Sequence, residues 1–194
     1  MDGDERKLSA WGRYRKGRRT VYGGGMTSYV AMLRAVNQGG RGKLTMEDLL
    51  ALCAPLGLGN VRLHGTEGNI VFESPRTERG LCQLIDRAVT DKLRRPAGVL
   101  IRTGPELRAI AQANPFPDAK FRLVGVMFLP KALPERLLTE LDLGGPEDVR
   151  MIGREIYVHY PDGMERSKMK IPFAADGTTR DLTTISKLAT MAGA

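Results

Sequence analysis

The sequence predicts an α+β protein built from two strand–helix–strand–strand–helix–strand units, the second of them incomplete. Three observations carry this. Apolar runs of strand length alternate with stretches of helical periodicity from Met26 onward. Two tight strand–strand turns stand at comparable places, Glu67-Gly68 and Gly153-Arg154. The order of elements then starts over after the proline pair Pro115 and Pro117. The expected division is 1–25, a disordered basic tail; 26–103, the first unit; and 104–194, a linking helix and the second unit.

The first unit opens with an apolar strand, Ser28 to Leu33, with Arg34 at its exit. Thr45 and Asp48 have capping-box spacing, and Met46, Leu49, Leu50 and Cys53 follow at i, i+3, i+4, i+7. Gly57 stands where a left-handed helix end suits glycine. Val61–His64 and Asn69–Glu73 read as a hairpin around Glu67-Gly68. Ser74-Pro75 reads as an N-cap followed by proline at the first helical position, and Leu81, Leu84, Ile85 and Ala88 share a face behind it. Gly98–Arg102 is the fourth strand. The resulting βαββαβ order is that of a ferredoxin-like unit, with expected strand order 4-1-3-2.

In the second unit, Thr103 and Glu106 cap a linking helix through Asn114. Phe121–Leu129 reads as a long strand with a bulge at Gly125, and Pro134–Leu141 as a short helix. Val149–Ile152 and Glu155–Tyr160 form a hairpin. Leu182, Ile185, Leu188 and Ala189 mark the last helix, which Thr178-Thr179-Arg180-Asp181 is expected to start. The fourth strand of this unit has no clear sequence signal. Leu50, Cys53, Leu81, Ile85, Leu100 and Val126 are expected in the core.

Composition narrows the function classes. The chain has 194 residues and a formal charge of +8. Half of that excess lies in residues 1–25, where seven Lys and Arg face three Asp and Glu. Two readings of this tail stay open: a segment that touches nucleic acid or acidic surfaces, or a start-site artefact with translation beginning at Met26. No apolar run approaches the ~20 residues of a membrane span, and no secretory h-region stands at the N-terminus, so a cytoplasmic protein is expected. Cys53 and Cys82 are expected as buried free thiols. His64 and His159 lack metal-ligand spacing, so no metal and no cofactor are expected. There is no GxSxG, HExxH or GxGxxG. Aromatics, at 6%, are too sparse for a base-stacking platform.

Two blocks remain that could hold a ligand. The first strand exits into Arg34, Asn37, Gly39, Gly40 and Lys43, and strand three should start beside that exit at Gly68-Asn69. An arginine fork, a lysine, an asparagine amide and bare glycine N–H groups suit a phosphate or carboxylate. The same residues also suit a purely structural loop, with Arg34 paired to a local acid. Gly42-Lys43 runs on to Leu44, so this is not a P-loop. The secondary candidates are Arg154, Arg166, Lys168 and Arg180, the last beside hydroxyls at the expected helix start.

The order and spacing of YVAMLRAVNQGGRGKLTMEDL, GNIVFESP, IRT with ANPFP, GREIYVHYPDG with ERSKM, and TTRDLTTISKL resemble the bacterial family called domain of unknown function 1697, over about Met26 to Met191. The resemblance implies a two-part fold of ferredoxin-like units and carries no established activity. This chain departs from the family pattern at Ala35-Val36, at His64-Gly65-Thr66-Glu67, in a shortened stretch between Met169 and Thr178, and at Asp181-Leu182-Thr183.

The leading expectation is a binding protein for a phosphate-bearing ligand, a nucleotide or nucleic acid, at the first-loop edge. Its rivals are an enzyme acting on a small anionic substrate between the halves, with Arg34 and Lys43 as electrostatic groups and Glu67 as base, and a protein-interaction module. The sequence sets no oligomeric state.

Overall fold

The computed structural model describes residues 25–34, 44–134, 136–139, 141 and 143–193. The basic tail through residue 24 therefore lies outside the described residues. The chain is α+β, and its described residues form two four-stranded antiparallel sheets and five α-helices.

In the first half, β1 (Thr27–Leu33), α1 (Met46–Cys53), β2 (Gly59–His64), β3 (Asn69–Ser74), α2 (Glu78–Leu93) and β4 (Val99–Thr103) follow one another, and α3 (Gly104–Gln112) leads out. The sheet order is β2-β3-β1-β4, the 4-1-3-2 order expected. Thr45 caps α1 through a reciprocal capping box with Asp48, and Thr103 caps α3 with Glu106 in the same way.

Two local expectations are corrected here. The cap of α2 is Thr77, whose hydroxyl accepts the Gly80 N–H at 3.3 Å. Ser74 is instead the last residue of β3, and its hydroxyl accepts the Arg76 N–H at 3.2 Å. In α1 the helix is rotated from the expected face. Leu49 and Cys53 are buried and Leu52 packs beside them, whereas Leu50 is 47% exposed and Met46 38%. Cys53, Leu81, Ile85, Leu100 and Val126 are buried as expected.

The second half holds β5 (Val124–Phe128), α4 (Arg136–Thr139), β6 (Asp148–Ile152), β7 (Glu155–His159), β8 (Thr178–Asp181) and α5 (Leu182–Met191). Its sheet order is β6-β7-β5-β8. Two short 3-10 turns, Met164–Arg166 and Pro172–Asp176, stand where the first half has α2. Thr178 to Asp181 is the fourth strand rather than the start of the helix; the β-branched pair and Arg180 pair with β5, and Asp181 caps α5 through the Thr184 N–H. Gly125 makes no bulge, since β5 keeps a regular register on both sides. A Cβ there would come within 2.7 Å of the Met164 methyl and 2.9 Å of the Tyr160 ring, so close packing explains the glycine.

The strands alternate between two apolar cores. Tyr29, Ala31 and Leu33 of β1 pack with Leu81, Ile85 and Val89 of α2. Val30 and Met32 face the other way, into one core with Val124, Val126 and Phe128 of β5, Leu107 of α3 and Leu182, Ile185 and Leu188 of α5. Met127, Leu129, Ile156 and Val158 form a third core on the far side of the second sheet. The two sheets thus meet face to face, and both faces of each central strand are covered. This explains why the strands read as unbroken apolar runs.

Candidate functional site

The register of the two sheets matches residue for residue. Val30 pairs with Arg102 across β1 and β4, and Val126 pairs with Arg180 across β5 and β8. Met32 pairs with Asn69, and Phe128 with Glu155. Arg102 and Arg180 therefore occupy equivalent places, each one residue before the N-cap of a helix. Each reaches across to the opposite half.

Arg102 is 1% exposed. Its guanidinium donates to Glu155 Oε1 at 2.9 and 2.7 Å, to the Leu129 carbonyl at 3.0 Å and to the Ile101 carbonyl at 2.8 Å. It also lies over the Phe128 ring, 5.5 Å from its centroid. Arg154, in the β6–β7 turn, adds a fork on Glu78 at 3.1 and 3.3 Å and reaches Glu106 at 3.3 Å. Three carboxylates and two guanidinium groups thus close one side of the seam. Burial alone would raise the Glu106 carboxyl, but hydrogen bonds from Thr103 and the fields of Arg102 and Arg154 outweigh it and hold the group below its ordinary value.

Arg180 mirrors this on the other side. It donates to Asn69 Oδ1 at 2.7 Å, to the Leu33 carbonyl at 3.1 Å, to the Glu67 carbonyl at 2.8 Å and to the Thr178 hydroxyl at 2.8 Å. Its nearest carboxylate is Glu67, 3.4 Å away. Burial lowers the pKa of this arginine, and the charges of Glu67 and Asp181 only partly offset that.

Arg34 and Asn69 do share one edge of the first sheet, as expected: the Leu33 N–H donates to the Gly68 carbonyl at 2.9 Å. Their side chains do different things. Asn69 is buried and fully engaged, accepting from Arg180 and donating to the His64 carbonyl at 3.1 Å. Arg34 stays partly open. Its Nε donates to the Ala97 carbonyl at 3.3 Å, Nη1 donates to the Ala175 carbonyl, and Asp176 lies 3.7 Å away. Asn37, Gly39, Gly40 and Lys43 lie outside the described residues. Of the secondary candidates, Arg154 and Arg180 belong to separate networks, and Arg166 and Lys168 are exposed on a turn. They do not form one site.

A cavity of about 300 Å³ opens beside Arg34. It is lined by Cys82, Gln83 and Asp86 of α2, by Gly98, Val99 and Leu100, and by Pro130 and Asp176 of the second half. The register makes its place in the fold clear. The pair Arg34–Gly98, one step past Leu33–Val99, is equivalent to the pair Pro130–Asp176, two steps past Phe128–Thr178. The cavity therefore sits where the two halves meet at matching strand ends. The Arg34 guanidinium lies on Gly98, which has φ +74°; a Cβ there would fall 2.7 Å from Arg34 Nε. Asp86 Oδ1 accepts the Gly98 N–H at 2.9 Å and fixes this corner.

The cavity thiol is not activated. Burial, with the Glu78 charge, raises the Cys82 pKa, and burial pushes Cys53 up to about 11. Among the described residues no three His, Cys, Asp or Glu side chains gather as metal ligands. None of the described helices is long and apolar enough to cross a membrane.

Sequence reasoning reached Arg34 but missed Asp86, Gly98 and Asp176 around it, and Arg102 with Glu155. The available signal was an arginine directly before the cap of the helix that follows each half's fourth strand, Arg102-Thr103 and Arg180-Asp181.

Fold and site together define an α+β protein of two face-to-face antiparallel sheets, joined by reciprocal buried arginines, with a cavity at the junction whose wall carries a few charged groups. The family model described as Protein of unknown function (DUF1697) matches residues 26–157, and the chain belongs to that family. The match ends short of the expected Met191. Among curated proteins there is no match. The conserved bacterial protein SP0830 from Streptococcus pneumoniae has a similar structure, with a TM-score of 0.72 and 21% identity, covering 87% of this chain and 99% of that one. At that identity the likeness speaks for the fold alone.

Proposed function

We propose that the protein binds a small phosphate-bearing molecule in the cavity between its halves, with the phosphate on Arg34. The observation that carries this is the partly open Arg34 guanidinium on the wall of a 300 Å³ cavity. A planar fork already oriented by the Ala97 and Ala175 carbonyls loses little further freedom when it takes up an anion. We read each half as a ferredoxin-like unit, the second with 3-10 turns in place of a helix, and expect the protein in the cytoplasm.

Binding is favoured over catalysis because no activated group stands among the described lining residues of the cavity. Glu67 pairs with Arg180 and the Cys82 thiol has a raised pKa. A small molecule is favoured over nucleic acid docked on a sheet, since both faces of the central strands are covered. Nucleic-acid contact through the basic tail is a separate proposal. Among the described residues, the large exposed apolar side chains, Met26, Met46, Leu50, Phe121 and Ile152, are spread over four segments, which gives little support to a partner-docking face.

A thermal-shift screen of nucleotides and phosphorylated metabolites tests the reading. A ligand at 100 times its Kd should add about 2.7 kcal/mol of stability. Arg34→Ala should remove that shift while the unliganded protein stays folded. A screen without a hit, or a hit that Arg34→Ala retains, counts against it.

A further inference from the structure

Resting on that reading, we infer that the ligand is a zwitterion: a small molecule with an ammonium group a few bonds from its phosphate, read by Asp86 and Asp176 on either side of Arg34. The charges of the cavity wall lead to this. Arg34 is the only cation among the described lining residues, and it shares the wall with two carboxylates. Gln83 adds a neutral amide and Cys82 a thiol that stays protonated. A phosphate with no charge of its own to offer these carboxylates meets one guanidinium and two like charges. A ligand that brings an ammonium group satisfies all three.

The carboxylates are placed for this. Asp86 is anchored through Oδ1 on the Gly98 N–H, and its Oδ2 meets no donor among the described residues. Asp176 is mostly exposed and lies 3.7 Å from Arg34 Nη1, too far for a good hydrogen bond but close enough to sit beside an anion held there. The two halves differ at this point. Where the first half has Arg34 and Gly98, the second has Pro130 and Asp176. The cavity therefore presents its cation from one half and a carboxylate from the other, which suits a ligand with two unlike ends.

Two matched pairs test the inference by calorimetry: O-phosphoethanolamine against ethyl phosphate, and 3-aminopropyl phosphate against propyl phosphate. At least one aminoalkyl phosphate should bind about tenfold more tightly than its partner. Asp86→Asn keeps an oxygen for the Gly98 N–H, and Asp176→Asn alters an exposed residue, so both variants should fold. Together they should bring each pair to near-equal affinity. At mildly alkaline pH, where enough of the Cys82 thiol is ionised to react with iodoacetamide, protection by the aminoalkyl phosphate should place it in this cavity.

Equal binding within both pairs overturns the zwitterion and leaves the phosphate reading standing. No binding of any of the four overturns both. A preference that survives in the double variant, or binding without Cys82 protection, overturns the assignment to these carboxylates. Vesicles of phosphatidylcholine with and without phosphatidylethanolamine separate a free molecule from a lipid headgroup. No co-sedimentation is expected; sedimentation that requires phosphatidylethanolamine overturns the assignment to a free molecule.

Discussion

Arg102 and Arg180 stand at equivalent positions in the two halves, each reaching across the seam to the backbone carbonyl that follows or ends the other half's first strand. What meets their charge differs. Beside Arg102, the first residue of β7 is Glu155, whose side chain is 10% exposed. Beside Arg180, the equivalent first residue of β3 is the neutral Asn69, and the nearest carboxylate has moved out to Glu67 in the turn, 54% exposed. One clamp is a dry ion pair with a ring of further charges. The other is a web of neutral acceptors with a wet counter-charge. A buried cation can be held either way, but the two devices should fail differently. Removing one partner of a dry pair leaves an uncompensated charge, whereas a solvated partner can be replaced by water.

The largest expected effect is at the dry clamp. Arg102→Met should cost about 3–5 kcal/mol in denaturant unfolding, because Glu155 then stays buried without its close, doubly hydrogen-bonded cation and keeps only the partly exposed Arg154, 3.8 Å away. A cost under about 1 kcal/mol would mean that this clamp is no drier than the other.

Glu155→Gln should cost less, about 1.5–3 kcal/mol, the scale of a hydrogen bond to a charged group. Glu78, 3.8 Å from Arg102, remains to compensate part of the charge. The same change at Glu67 should cost no more than about 1 kcal/mol and should shrink further at high salt. Equal costs for Glu155→Gln and Glu67→Gln would erase the distinction between the two sides.

The smallest effect is one of pH. The folded pKa of Glu106 is depressed below 4.5. Its contribution to stability is therefore fully present above that ordinary value and is lost as pH falls through the folded pKa. Unfolding followed through acid should show the gap between wild type and Glu106→Gln closing. A gap that widens on acidification would reverse the assigned sign.

How far the sequence showed this depends on the kind of information needed. Local rules sufficed for the strand–helix order of the first half, for the caps at Thr45 and Thr103, and for Arg34 at an edge shared with Asn69, but not for β8, which reads as a helix start. They failed where a residue's role depends on the other half. Arg102 reads as the polar end of a strand and Arg180 as a surface charge by a helix cap, because their acceptors, Glu155, Leu129, Asn69 and Leu33, lie far away in sequence. Leu50 misled for a different reason. In the eight-residue helix α1, Leu49, Leu50 and Leu52 offer two nearly equivalent apolar faces, and only packing against the sheet selects the one holding Leu49 and Cys53. Asp86 and Asp176 carry no local signal at all; the fold alone brings them to Arg34.

The claim at the centre of this account is that charge compensation across a dry seam joins the halves at Arg102. A double-mutant cycle at Arg102 and Glu155 tests it most directly, with Arg102→Met, Glu155→Leu and the double variant compared by denaturant unfolding. The account predicts that the double variant is much more stable than Arg102→Met alone, since apolar replacement of both partners leaves no orphaned charge. Costs that simply add, within about 0.5 kcal/mol, would contradict it.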